Sequence, residues 1–230
     1  MKKQKTASQK KEKENRHKAK KSRTQFNRIA MAAGIVLLIL VILYSVKSIR
    51  PVNLAESGSH PFRGNPSSKV IISEFSDFEC PACKGAEPNI RQLLKDFDGK
   101  VKFVFYNYPL TQNHQWAMLA AQAAQCALDQ DRFWPYHDIL YDRQEIWAKD
   151  SDPARRFKDY AVELGLRGEE FNACLESGRK RSVVTEDQDR GDALQVNSTP
   201  TLFINQQRII GGNSYFELKE AVENELRLHA

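Results

Sequence analysis

Glu74-Phe75-Ser76-Asp77-Phe78-Glu79-Cys80-Pro81-Ala82-Cys83-Lys84-Gly85-Ala86-Glu87-Pro88 joins the end of an apolar run to two cysteines spaced as CxxC. Upstream, Val70–Phe75 reads as a buried strand, because β-branched and aromatic residues crowd a short run. Downstream, a helix is predicted from Cys80 to about Phe97. Pro81 suits the first helical position, where its missing N–H is not needed. Two intervening residues let both sulfurs share one helical turn, close enough to bond. Cys80 then stands at the helix N-terminus, where the dipole and the free N–H groups stabilise a thiolate. Such a sulfur is a ready nucleophile and a good leaving group. The same spacing could be half of a zinc site, but that needs a second close pair or histidines at metal spacing. The other cysteines, Cys126 and Cys174, stand 48 residues apart and neither is in a CxxC, so no metal site is expected. A purely structural link is the plainer alternative; closing so short a loop gains little entropy, and redox chemistry better explains the spacing.

Working outward, Val101–Tyr106 (VKFVFY) reads as a second strand. From Asn113 to about Gln195 the patterns are helical only, beginning with the Ala-rich HQWAMLAAQAAQCALDQ. Thr201–Asn205 and Arg208–Ile210 make a short hairpin, and Phe216–Leu228 a closing helix. The expected fold class is therefore α/β, with a helical insertion over about 113–195 inside a globular domain of residues 69–230. That length is enough for one sizeable core.

The first 68 residues have a different character. The net charge is +6, yet residues 1–28 hold twelve Lys/Arg against two Glu, leaving −4 for the remaining 202. This tail cannot bury a core and is expected to be disordered. Ile29–Val46 is a run of eighteen uncharged residues. At ~1.5 Å rise per residue it covers ~27 Å, close to the hydrocarbon thickness of a bilayer. A buried core helix does not fit a run apolar on every face. A cleaved signal peptide would carry a shorter run and a small-residue cleavage site, whereas Lys47-Ser48-Ile49-Arg50 follows here. The run is read as a single transmembrane anchor. The positive-inside rule keeps the tail in the cytoplasm and exports the rest, so nucleic acid is not the expected partner of the tail. Residues 47–68 read as a flexible linker, since 51–68 hold eleven Pro, Gly, Ser or Asn among eighteen.

The segment EFSDFECPACKGAEP resembles the active-site region of the DsbA-like thiol:disulfide oxidoreductases of the thioredoxin superfamily. A strand leads into CxxC, and Pro88 lies where thioredoxin-like helices kink. Thr199-Pro200-Thr201 followed by LFIN looks like the cis-proline loop, and YNYPL…H…FWPYHDILY like the helical insertion. The likeness covers about residues 69–228. It implies a thioredoxin-like fold, with Cys80 as the nucleophile that joins substrate and Cys83 as the resolving partner. It implies a cis Pro200, with Thr199 offering backbone groups to an extended substrate peptide. Glu74, six residues before Cys80, falls where the branch buries an acid beneath the disulfide, and could exchange a proton with Cys83; the alternative is a solvated strand residue. No organic cofactor is implied beyond the Cys80–Cys83 disulfide. The partners implied are exported proteins with cysteine pairs and a membrane quinone-linked redox protein. Some relatives carry a second cysteine pair in the insertion, and an exported domain sits where disulfides persist, so a Cys126–Cys174 bond is expected.

The dipeptide Pro81-Ala82 departs from the Pro-His of the strongly oxidising DsbA proteins. Asp77 and Glu79 place negative charge near Cys80, offset in part by Lys84. A Cys80 thiolate less stabilised than in the strongest oxidants follows. His114 and His137 invite a Cys–His hydrolase reading, but nothing in their spacing selects a base. The expected function is oxidation of cysteine pairs in exported proteins by a membrane-anchored oxidoreductase. A reductase or isomerase using the same residues, or a non-enzymatic metal-binding or chaperone module, are the alternatives.

Overall fold

In the computed structural model, which describes residues 60–229 together with 31, 34, 35, 37 and 38, the strand before the cysteine motif is β2 (Ile71–Ser76), the middle of a five-stranded sheet. The order is β1-β3-β2-β4-β5, with β1 at Phe62–Gly64, β3 at Lys102–Asn107, β4 at Thr201–Ile204 and β5 at Gln207–Ile210. β2 and β3 run parallel, so a crossover must join them, and helix α1 (Pro81–Asp96) supplies it. The other three pairings are antiparallel.

Side chains of β2 alternate between two apolar layers. Ile72 packs with Ile90 and Leu93 of α1, Leu202 and Ile204 of β4, and Leu218 and Val222 of the last helix, α8 (Tyr215–Leu228). Phe75 faces the other way, into a cluster with Val104, Tyr106, Tyr108 and Phe203. Gly191 approaches that face so closely that a Cβ there would lie 2.6 Å from the Tyr108 ring.

Between β3 and β4 come six helices, α2 (Ala117–Leu128), α3 (Phe133–Asp142), α4 (Gln144–Trp147), α5 (Ala154–Glu163), α6 (Gly168–Ser177) and α7 (Arg181–Ala193). Their core is continuous with the end of the sheet that carries the cysteine motif: Phe78, Cys80, Cys83 and Phe105 share one cluster with Ala123, Phe133, Tyr136 and Trp147. Small residues on α2 let neighbouring helices approach. Cys126 of α2 and Cys174 of α6 are joined by a disulfide, with their Cα atoms 5.9 Å apart.

One boundary is corrected. The stretch 47–68, read as a flexible linker, contains β1, whose Phe62, Arg63 and Gly64 pair with Val104, Phe103 and Lys102 of β3. Trp134 Nε1 donates to Phe62 O at 2.9 Å, and the Arg63 guanidinium lies over the Trp134 ring. A Pro- and Gly-rich composition mimics a tether, but the open edge of β3 orders it. The folded unit therefore starts upstream of residue 69.

The chain divides into two units, residues 1–51 and 52–230. In the first, the five described residues are helical and exposed. The basic tail, and the rest of the predicted span 29–46, lie outside the described residues. Among the described residues no helix is long and apolar enough to cross a membrane.

Candidate active site

Cys80 is the N-cap of α1, in extended backbone (φ −73°, ψ 121°), with a proline in the first turn. Its thiol is 3.6 Å from the carbonyl oxygen of Thr199, to which it donates. The Thr199–Pro200 bond is cis, as the resemblance implied. The loop is tied down on both sides: Thr201 Oγ1 donates to Ser198 O at 2.8 Å, and Gly211 N–H to Pro200 O at 2.8 Å. Cys83 is fully buried one turn in, with the Asp77 N–H 3.5 Å from its sulfur. Both cysteines are free thiols.

These positions make the two sulfurs unequal. The Cys80 pKa is lowered from 9.0 to about 5. A hydrogen bond from Cys83 contributes most; burial opposes it, and Thr199 and the backbone N–H groups of Cys83 and Ala82 add to the stabilisation. The value lies above the ~3.5 found at the low extreme for this motif. Cys83 moves the other way, pushed well above 9.0 by burial, by its neighbour Cys80 and by the charge of Glu74.

Glu74 is not a solvated strand residue. It is 1% exposed, and Oε2 has no hydrogen-bond partner. Burial, with the nearby charge of Glu87, raises its pKa to about 8 against a hydrogen bond from Ser76. At neutral pH it is therefore a protonated acid, able to give a proton to a thiolate and to take one back.

Asp77 and Glu79 do not act as bare charges beside Cys80. The Asp77 carboxylate accepts from Glu79 N–H at 2.8 Å and Leu110 N–H at 2.9 Å, and meets His114 Nδ1 at 2.7 Å. Glu79 accepts from Trp116 N–H at 2.7 Å. Lys84, read as the offsetting cation, instead pairs with Glu145 at 2.9 Å.

Two contributors escape a sequence reading. Gln144 is buried in α4 and donates from Nε2 to Phe78 O (2.8 Å) and Cys80 O (2.9 Å), fixing the motif from the insertion. It sits between Arg143 and Glu145, where only its helical phase hints at burial. His114 is the other, its role hidden by the 37 residues that separate it from Asp77. His137, by contrast, is wholly buried among Phe78, Phe105, Trp134 and Tyr141. It neighbours Glu87 and Asp138, a set with the look of metal ligands. Arg91 lies 2.7 Å from Glu87, and Arg63 lies 3.0 Å from Asp138, so guanidinium groups already balance these carboxylates.

Residues 56–224 match a protein-family model described as Thioredoxin. Over 160 residues the chain is 37% identical to the Na(+)/H(+) antiporter NhaA 3 of Salinispora tropica, a match covering 70% of this chain and 24% of that protein. The chain thus spans about a quarter of the length of that relative. It is 29% identical to disulfide bond formation protein D of Bacillus subtilis over 192 residues, 76% of this chain and 86% of that protein. The crystal structure of oxidised BdbD from Bacillus subtilis superposes with a TM-score of 0.67 at 28% identity, covering 74% of this chain and 94% of that one. With a family match that takes in the sheet, the cysteine motif and the helical insertion, the chain belongs to the thioredoxin family.

Proposed function

We propose that this protein is a membrane-anchored oxidase that introduces disulfides into exported proteins through Cys80 and Cys83. The observation that carries the oxidising direction is the Cys80 thiolate, held at a pKa of about 5. A stabilised thiolate stabilises the reduced enzyme, and so makes its disulfide a better electron acceptor.

The reaction runs in two displacements. A substrate thiolate attacks Cys80 Sγ of the enzyme disulfide; a substrate–Cys80 bond forms and the Cys80–Cys83 bond breaks. Cys83 leaves as a thiolate whose high proton affinity draws a proton, for which protonated Glu74 is the buried source. A second substrate thiolate then attacks the substrate sulfur of the mixed disulfide. The substrate disulfide forms and Cys80 departs as a thiolate. Two electrons have passed from substrate to enzyme. Pro200 and Thr199 border Cys80, and the Thr199 backbone can pair with an extended substrate strand. Pro81 and Ala82 carry no side-chain charge, so the backbone N–H groups and the neighbouring thiol stabilise Cys80.

The reduced enzyme must pass its electrons on, and a quinone-linked membrane protein is the partner we assign. The uncharged run 29–46 and the +10 tail before it support a single-pass anchor with the catalytic domain outside the cytoplasmic membrane. The test is the redox equilibrium of the full chain in graded glutathione buffers, with free thiols trapped by alkylation. The oxidase reading expects Cys80–Cys83 to be reduced already in oxidising buffers. A pair that stays oxidised until the buffer is strongly reducing makes the protein a reductase or isomerase instead. Cys80→Ala should abolish thiol–disulfide exchange in either enzyme reading; a chaperone function left intact in that variant would mark a non-enzymatic module instead.

A further inference from the structure

When the Cys80–Cys83 bond opens, its electron pair leaves with Cys83 Sγ, a sulfur that is fully buried. A donor fixed on that sulfur in advance stabilises the developing charge without rearranging. The Asp77 N–H is such a donor, 3.5 Å from Cys83 Sγ. The rest of Asp77 holds it there. Asp77 follows the last residue of β2, where the chain turns towards α1. Its carbonyl accepts from the Cys80 N–H at 3.1 Å, which closes a four-residue turn. Oδ1 accepts from the Glu79 N–H at 2.8 Å inside the same turn. Oδ2 reaches outside it, accepting from the Leu110 N–H at 2.9 Å and meeting His114 Nδ1 at 2.7 Å. Those two groups belong to one closed segment, because the Asn113 and His114 N–H groups both donate to Leu110 O at 2.9 Å. A buried carboxylate is costly unless its partners are complete. The Asp77 carboxylate is fully buried, and each partner lies on one of the two segments that it joins.

We propose that the Asp77 side chain is a positioning group for the resolving cysteine: by clasping segment 110–114, it holds its own N–H on Cys83 Sγ, the leaving sulfur when the disulfide opens. The carboxylate touches no reacting atom and acts through its backbone. The N–H keeps its proton throughout. The bond from the incoming thiol to Cys80 forms, the Cys80–Cys83 bond breaks, and the electron pair passes to Cys83 Sγ. In the reverse step the Cys83 thiolate attacks a mixed disulfide, and the same N–H faces the same sulfur. The role therefore rests on thiol–disulfide exchange at Cys80–Cys83 but not on its oxidising direction. Gln144 grips Phe78 O and Cys80 O from the insertion, so the turn stays anchored when Asp77 is altered.

The experiment compares two reactions of the full-length chain. In the first, the oxidised protein is mixed with excess glutathione and quenched at intervals by alkylation, which gives the rate at which Cys80–Cys83 opens. In the second, reduced Cys80 is alkylated by iodoacetamide, a reaction that places no charge on Cys83. Asp77→Asn puts an amide NH2 where one carboxylate oxygen accepted an N–H, and so breaks the clasp on one side. Opening is expected to slow by about tenfold, the lower bound for losing a hydrogen bond to a charged group. Alkylation of Cys80 should keep its rate. His114→Ala leaves Asp77 in place and removes one of its partners; it should slow opening by a smaller factor, and it keeps the test available if Asp77→Asn does not fold. Opening that is not slowed in either folded variant overturns the proposal. So does an equal slowing of both reactions, which is the mark of a purely structural role. If the unaltered pair equilibrates only in strongly reducing buffers, the oxidase reading falls, while slowed opening in Asp77→Asn still upholds the role of Asp77. A disulfide that glutathione cannot open in the unaltered protein would remove both.

Discussion

The molecule holds two cysteine pairs built on opposite terms. Cys80 and Cys83 share the first turn of α1, whereas Cys126 and Cys174 are 48 residues apart on two helices of the insertion. All four sulfurs lie in one apolar cluster, so burial is not what distinguishes them. The distinction is the asymmetry at the first pair. Cys80 is at a helix N-terminus, facing the cis-proline loop, and its pKa falls to about 5; Cys83 is one turn deeper above Glu74, and its pKa rises. A disulfide is readily opened when its two sulfurs differ in worth as thiolates. A disulfide that closes a long loop between packed helices mainly restricts the unfolded chain. On the proposed function, a disulfide between Cys80 and Cys83 would be a reactive centre, whereas the Cys126–Cys174 bond is a brace.

The largest effect that can test this contrast is removal of the brace. On the chain-entropy argument, a loop of 48 residues contributes about 4 kcal/mol. The double variant Cys126→Ala/Cys174→Ala is expected to lose ~2–4 kcal/mol in denaturant unfolding, the lower figure allowing for residual structure in the unfolded chain. Unchanged stability would show that the bond does not act as a brace.

A second test addresses the asymmetry through the carboxyl beneath Cys83. The Glu74 pKa is 4.5 as the ordinary value and about 8 in the fold. Between those pH values the native state keeps a proton that the unfolded chain has released, so stability falls as pH rises. Below about pH 4.5 both states are protonated and the contribution vanishes. Glu74→Gln keeps the neutral shape and removes the titration. In the oxidised protein the variant should match the parent near pH ~4 and exceed it by a few kcal/mol near pH ~9, the window set by the raised pKa. Unfolding curves collected across that range check it. Parallel stability profiles would mean that Glu74 is not held protonated in the fold.

Much of this was legible in the sequence, and the rest failed for identifiable reasons. The apolar run into CxxC marked β2 and α1 because propensity, proline position and cysteine spacing agreed. The insertion was legible from helical patterning alone. The cis state of Pro200 was not: X-Pro bonds are cis in only ~5–6% of cases in folded proteins, and the resemblance carried that expectation. Glu74 was ambiguous, since one acid in a short strand fits either face until the register is known. It pairs opposite Phe105 on β3 and Leu202 on β4, in the interior of the sheet. β1 was missed because its pairing partner, not its own composition, orders it. Asp77 was visible, but its partners were not, because His114 and Leu110 lie on a distant loop. Gln144 was hidden likewise, 64 residues from the carbonyl of Cys80 that it holds.

The smallest expected effect is the sharpest test of the division of labour. The shared apolar cluster would let a change at Cys126–Cys174 reach the active pair through packing. The groups that set the Cys80 thiolate are elsewhere: Cys83, Thr199 and the N–H groups of the first turn. Changes at sites without shared partners usually add within ~0.3–0.5 kcal/mol, about twofold in an equilibrium constant. The Cys126→Ala/Cys174→Ala variant, destabilised as it is, should therefore keep its glutathione equilibrium constant within about twofold of the parent, measured well below its unfolding temperature. A shift of about tenfold would need ~1.4 kcal/mol of coupling. That much coupling would mean that the brace also sets the balance between the two active sulfurs, and the two pairs would have to be treated as one device.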